Sequence, residues 1–93
     1  MSKRVYELTV IFPVETKEKE AEKLIESIVE KAGGSLSEFD YWGEKELAYP
    51  IKKNKRAVYA HMEVEIEASK VKDLERRIGL EDDIMRSLLT IKE

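Results

Sequence analysis

The chain has 93 residues, of which 42% are hydrophobic and 40% charged, with a formal net charge of −3 and no cysteine. This length and composition predict one folded domain over residues 1–93 and exclude a disordered chain. The lack of cysteine excludes disulfides and thiolate chemistry, and we expect a cytoplasmic protein. No apolar run approaches the ~20 residues of a membrane-spanning helix, so no membrane partner is expected.

The first elements are a predicted strand and a predicted helix. Residues 5–12 alternate with the period of a strand. The positions expected to face the core are Tyr6, Leu8, Val10 and Phe12. Thr16 is the expected N-cap of an amphipathic helix, which the glycine pair at 33–34 ends.

Two further strands follow. Residues 36–51 predict a long strand, or two strand pieces, with a bulge at Gly43. Pro50 restricts this strand to a sheet edge, because proline cannot donate a ladder hydrogen bond. Residues 58–66 show the clearest strand alternation in the chain.

The last elements complete a known topology. Ser69 is the expected cap of a second helix that Gly79 closes, and residues 84–92 predict a final strand. The order strand, helix, strand, strand, helix, strand predicts an α+β ferredoxin-like βαββαβ domain with a four-stranded antiparallel sheet. Both helices then cover one face, and the first and third strands lie in the centre.

The sheet face without helices, here called the open face, is the first candidate site. Tyr59, His61 and Leu88 are expected there, and apolar groups on a solvated face favour a protein partner, although scattered exposed apolar residues are also normal. Base stacking across the sheet is not expected, because Tyr59 is the only suitable aromatic residue of the two central strands and carboxylates surround it.

The second candidate is residues 45–56, here called the basic arm. Five cations and one anion, Glu46, give this segment a charge of +4. The cations suit contact with RNA phosphates, as do the pair near the amino terminus. On the residues alone, however, the favoured interpretation is a solvated turn whose charges protect an edge strand. The predicted RNA-binding cations so far are Lys3, Arg4, Lys45, Lys52, Lys53, Lys55 and Arg56.

Catalytic and metal-binding signals are weak. His61 is the only histidine, and no nucleophile, Walker or dinucleotide motif is present. We therefore expect no enzyme activity, cofactor, metal or small-molecule substrate. An acylphosphatase-like or ligand-sensing domain on the same scaffold is the alternative, but the loop after the first strand, PVETKEKE, lacks the arginine and glycines expected of such an enzyme.

The segment GEKELAYPIK, followed by KNKRAVYAHMEVE, resembles the characteristic segment of the bacterial ribosomal protein S6 family. YELTVIFP resembles the first strand of that family and DDIMRSLLTIK the last, so essentially the whole chain is covered. The resemblance implies a structural protein of the small ribosomal subunit. It also implies binding to the central domain of 16S rRNA, as a heterodimer with the eighteenth small-subunit protein.

The resemblance also assigns residues to the two surfaces. It adds Arg86 to the RNA-binding cations and places family-like basic positions at Arg4, Lys45 and Lys52. The predicted partner-binding residues are Trp42, Tyr49, Pro50, Tyr59, His61 and Leu88.

Overall fold

The computed structural model of the protein describes residues 3–51 and 54–92. Within these residues, four strands and two α-helices follow the predicted order, and a short 3-10 turn, Ala68–Lys70, precedes the second helix. The elements are β1 Lys3–Phe12, α1 Glu18–Lys31, β2 Ser35–Ile51, β3 Asn54–Glu67, α2 Val71–Gly79 and β4 Arg86–Ile91. None of the helices in this part of the chain is long and apolar enough to cross a membrane.

The strands form one antiparallel sheet in the order β2-β3-β1-β4. This confirms the ferredoxin-like arrangement, with β1 and β3 in the centre. The proline of β2 lies in an edge strand, where the sheet does not require its missing N–H.

The core lies between the sheet and the helices. Alternate residues of β1 and β3 are buried, as the sequence pattern predicted, and Leu8, Val10 and Phe12 have no solvent exposure. α1 contributes a buried stripe that includes Ile25 and Val29, and Leu74 anchors α2. Burying each such side chain contributes about 1.5–3 kcal/mol, so this layer is the main source of stability.

Both helix starts differ from the prediction. α1 is preceded by Lys17, whose backbone N–H donates to Glu20 Oε1 at 3.0 Å, whereas the carbonyl of Thr16 accepts the Tyr41 hydroxyl. Ser69 lies inside the 3-10 turn, and Lys70 takes the N-cap position of α2. Thr16 and Ser69 are therefore not the caps, because the bond from Lys17 N–H to Glu20 fixes the start of α1 one residue later and the 3-10 turn displaces the start of α2.

The end of α1 brings two backbones close together. Gly33 has a φ of 91°, which ends the helix as predicted. At Gly34 a Cβ atom would lie 2.9 Å from the backbone oxygen of Glu65 and 3.0 Å from the Cβ of Ile66. The chain therefore needs a glycine at 34 for space rather than for its backbone angles.

β2 is interrupted by extra residues. Tyr41 and Gly43 pair with consecutive residues of β3, so Trp42 has no cross-strand partner in the ladder and forms a bulge. Gly43 adopts a φ of 85°, in agreement with the predicted irregularity. The bulge releases Trp42 from the regular alternation of the strand.

Beyond Phe12, β2 and β3 continue as a two-stranded hairpin that β1 does not reach. Residues 45–51 and 54–56 of the basic arm lie in this extension. Leu47 and Ala57 are buried on it, although neither belongs to the main core cluster. These two side chains are therefore shielded from solvent outside the main core.

Candidate functional site: the open sheet face and the basic arm

Cross-strand pairing arranges the open face in three rows that run across all four strands. The arm-side row consists of Arg86, Ile11, Tyr59 and Gly43. The middle row consists of Leu88, Thr9, His61 and Asp40. The acidic row consists of Thr90, Glu7, Glu63 and Glu38. The face therefore changes from apolar and basic at one end to acidic at the other.

An aromatic pair lies over the middle row. The rings of Trp42 and His61 stack at 5.4 Å between centroids with an interplanar angle of 12°. Trp42 Nε1 donates to Asp40 Oδ2 at 2.8 Å, and Thr9 Oγ1 lies 3.0 Å from His61 Nδ1. Trp42 is nevertheless 45% exposed, so the structure holds a large aromatic ring at the surface.

A shallow apolar pocket lies beside this pair. It has a volume of about 430 Å³ and opens between the arm-side and middle rows. Its lining comprises Thr9, Ile11, Tyr59, Arg86, Ser87 and Leu88. Leu88 is 64% exposed at its rim, so this leucine and the pocket together form a continuous apolar patch.

The acidic row carries like charges directly opposite each other. Glu7 of β1 pairs with Glu63 of β3, and Glu63 also pairs with Glu38 of β2 on its other side. Lys92 Nζ donates to Glu63 Oε2 at 2.6 Å. This hydrogen bond, with the surrounding negative charge, raises the pKa of Lys92 above its ordinary value.

The described cations of the basic arm lie on both strands of the hairpin, with Lys45 on β2 and with Lys55 and Arg56 on β3. Lys45 and Lys55 are exposed, and Arg56 is exposed but paired with Glu44 across the hairpin. Lys52 and Lys53, also predicted RNA-binding residues, lie outside the described residues.

The structure divides the other predicted cations between two ends of the sheet. Arg86 lies opposite Ile11, at the end from which the arm extends. Lys3 pairs with Glu67 at the other end, eight residues earlier on β1, or about 26 Å away at ~3.3 Å per residue. Arg4 is exposed beside it but pairs with Ile66, so it lies on the helix-covered side. The predicted cations therefore do not form one surface.

The predicted partner residues are brought together in part. Tyr59, His61 and Leu88 lie in adjoining rows of the open face, and Trp42 contacts His61. Tyr49 and Pro50 belong to β2 in the arm, away from this group.

Two features of the site were not found from the sequence. The stacking of Trp42 on His61 depends on the bulge, since strict alternation does not define the face of an extra residue. The pairing of Glu44 with Arg56 is a diagonal contact that requires the register of the hairpin. The signal available for both was the glycine at 43, which marks an irregular strand.

Residues 3–51 and 54–92 contain no cluster of three or more histidine or acidic side chains suited to a metal ion. The groups that the structure does bring together are aromatic, apolar and charged side chains on an open surface. An open surface of this kind is suited to contact with a macromolecule.

Comparison with known proteins identifies relatives over nearly the whole chain. A profile of the family described as Ribosomal protein S6 matches residues 5–91. The small ribosomal subunit protein bS6 of Ruegeria pomeroyi is 41% identical over 91 residues, covering 95% of this chain and 77% of the relative. The protein of the same name from Corynebacterium aurimucosum is 36% identical, covering 90% of this chain and 91% of the relative.

A solved structure supports the fold. The crystal structure of 30S ribosomal protein S6 from Thermotoga maritima superposes with a TM-score of 0.83, covering 98% of this chain and 89% of that one, at 23% identity. At this identity the likeness shows the ferredoxin-like fold and not a shared site.

The sequence relatives decide the class of protein. They are structural proteins of the small ribosomal subunit, a cytoplasmic component of the translation machinery, and not enzymes. This sets aside the acylphosphatase-like alternative. With the profile match over residues 5–91, the chain belongs to the ribosomal protein S6 family.

Proposed function

We propose that this small-subunit protein binds the central domain of 16S rRNA as a heterodimer with the eighteenth small-subunit protein. In this arrangement, the open face binds the partner. The basic arm and Arg86 contact RNA phosphates, and Lys3 and Arg4, on opposite sides of the sheet at its other end, provide two separate further contacts.

The observation that carries the proposal is the separation of charge on the open face. Arg86 lies in the row nearest the arm, whereas Glu7, Glu38 and Glu63 occupy the acidic row. RNA phosphates are attracted to the first region and repelled by the second. A chain of net charge −3 therefore offers RNA a limited area, and a basic partner on the open face would complete it.

The heterodimer also explains the exposed apolar groups. Leu88 and Trp42 lie on the same face, beside a pocket lined by Ile11 and Tyr59. Apolar and aromatic side chains of this kind form the centre of protein interfaces. A partner that buries them gains affinity without requiring any change in the fold.

The direct test combines the purified protein, the partner and a central-domain RNA fragment. Gel-shift or calorimetric titrations should give a ternary complex that requires both proteins and weakens as salt is raised. RNA binding that is equally strong without the partner would contradict the cooperative arrangement, as would no binding with it.

A matched pair of variants locates the RNA contact. Arg86→Gln should reduce the slope of log affinity against log salt by about 1, because one phosphate contact is lost. Lys23→Gln, on the exposed side of α1, removes the same charge and should leave the slope unchanged. Equal effects from both variants would show that total charge, and not the arm-side row, determines binding.

A further inference from the structure

We propose that Trp42 and Asp40 form a docking site for an arginine side chain of the protein partner, with His61 as the support beneath the tryptophan ring. This inference rests on the proposed heterodimer and names the chemistry that the partner must supply.

The first argument is that the tryptophan is held in place before any partner arrives. His61 covers one side of the ring, and Asp40 accepts the hydrogen bond of the indole nitrogen. The bulge in β2 fixes the backbone from which the ring extends. A ring that is already ordered loses little conformational entropy on binding, so its contact adds more to affinity.

The second argument concerns the charge of the ligand. The face of an indole ring attracts cations. The carboxylate of Asp40 lies at the ring edge, and Glu38 and Glu63 follow in the acidic row. Lys92 pairs with Glu63 and balances only part of this charge. The surroundings therefore favour a positively charged group and repel a phosphate.

The third argument distinguishes arginine from lysine. A guanidinium group is planar, stacks on aromatic rings and donates several hydrogen bonds to a carboxylate at the same time. The Trp42 ring and the Asp40 carboxylate offer both kinds of contact side by side. A lysine ammonium lacks the planar surface and is more strongly hydrated, so it gains less here.

The fourth argument is the neighbouring pocket. Its lining includes Leu88, which lies in the same row as His61 but two strands away, or about 10 Å at ~4.8 Å between neighbouring strands. A protein segment can place an apolar side chain in the pocket and an arginine on Trp42. A nucleic acid strand would bring phosphates to the acidic row.

The test measures partner binding without RNA. Trp42→Leu should weaken the heterodimer about 3- to 30-fold, the range expected for loss of one cation–aromatic contact. The affinity of Trp42→Phe for the partner should lie between the affinities of Trp42→Leu and the wild-type protein, because a phenylalanine ring binds cations less well than a tryptophan ring. Leu80→Ala, at the exposed end of α2, removes a large apolar side chain elsewhere and should have no effect.

Two further measurements identify the ligand. An arginine-to-lysine series in the partner should contain one variant whose loss of affinity disappears in the Trp42→Leu background, as a double-mutant cycle requires for a direct contact. Trp42 is the only tryptophan of this chain. Binding of a partner that has no tryptophan should therefore change the fluorescence of Trp42.

The outcomes separate this inference from the proposed function. A wild-type protein that fails to bind the partner overturns both. Normal partner binding that Trp42→Leu leaves unchanged overturns the arginine site alone. Quenching of Trp42 by the RNA fragment without the partner, lost in high salt, would also overturn it, since the ring would then stack on a base.

Discussion

The two faces of the sheet are built from the same strands and differ in burial and in charge. On the helix-covered face, Leu8 and Val64 are fully buried and fix the fold. The neighbouring residues of each strand point to the open face, where side chains such as His61 stay partly exposed. The charged residues of this face lie in separate rows. Stability therefore depends on one set of alternate residues and the proposed binding on the other, so a substitution can affect one with little effect on the other.

The largest expected difference comes from two leucines. Leu8→Ala should lower the free energy of unfolding by about 2–5 kcal/mol, because it leaves a cavity in the core. Leu88→Ala, on the open face, should change it by less than about 0.5 kcal/mol. Urea unfolding measures both. Affinity for the partner should show the opposite order: when both variants are folded, Leu88→Ala should bind the partner more weakly than Leu8→Ala. Equal destabilisation would mean that the open face also supports the fold.

A pair of glycines tests how tightly the covered face is closed. Gly34→Ala should lower the free energy of unfolding by about 1–3 kcal/mol, because its Cβ would meet the backbone of β3. Gly79→Ala has open space around its Cβ and lies in the last turn of α2. It should be neutral or stabilise the protein by up to about 1 kcal/mol, since alanine favours helix. Thermal unfolding of both variants measures the difference. If Gly34→Ala is neutral, the loop after α1 can move away from the sheet.

The smallest expected effect is a pH dependence on the open face. Glu63 raises the pKa of Lys92 in the folded state, so this contribution to stability is present below the ordinary lysine pKa of 10.5 and is lost as pH rises through the folded value. Glu63→Gln should remove that part of the alkaline decline. Urea unfolding between about pH 9 and pH 12 tests it, with Glu26→Gln on α1 as the control. An unchanged decline in Glu63→Gln would show that the pair contributes nothing measurable.

The sequence predicted the fold well where one pattern dominates. Strict alternation in β1 and β3 identified the buried residues correctly, because each strand packs one side against the helices. Pro50 indicated the edge position of β2, and the topology followed from the order of elements. The capping signals in the sequence predicted the starts of the helices less well. Thr16 has the chemistry of a cap, but Glu20 accepts the backbone N–H of Lys17, which is the N-cap residue instead.

The candidate site was less predictable, because it depends on register. From the sequence alone, the positive charges near the amino terminus, in the arm and at Arg86 could be assigned to one RNA-binding surface. Antiparallel pairing separates Lys3 from Arg86 by most of the length of β1. The aromatic pair required the bulge at Trp42, and a period of two cannot assign a residue that the ladder omits. The composition of the open face was therefore predictable, and its internal order was not.

The bulge at Trp42 has a consequence for how this surface can vary. In a regular strand, removing one residue would move every later side chain to the opposite face. Because Tyr41 and Gly43 already pair with consecutive residues of β3, removing Trp42 leaves the pairing of Lys45 unchanged. The tryptophan is thus an insertion that can be lost or replaced without shifting the pairing of the arm, so the proposed partner site can vary independently of the proposed RNA contacts.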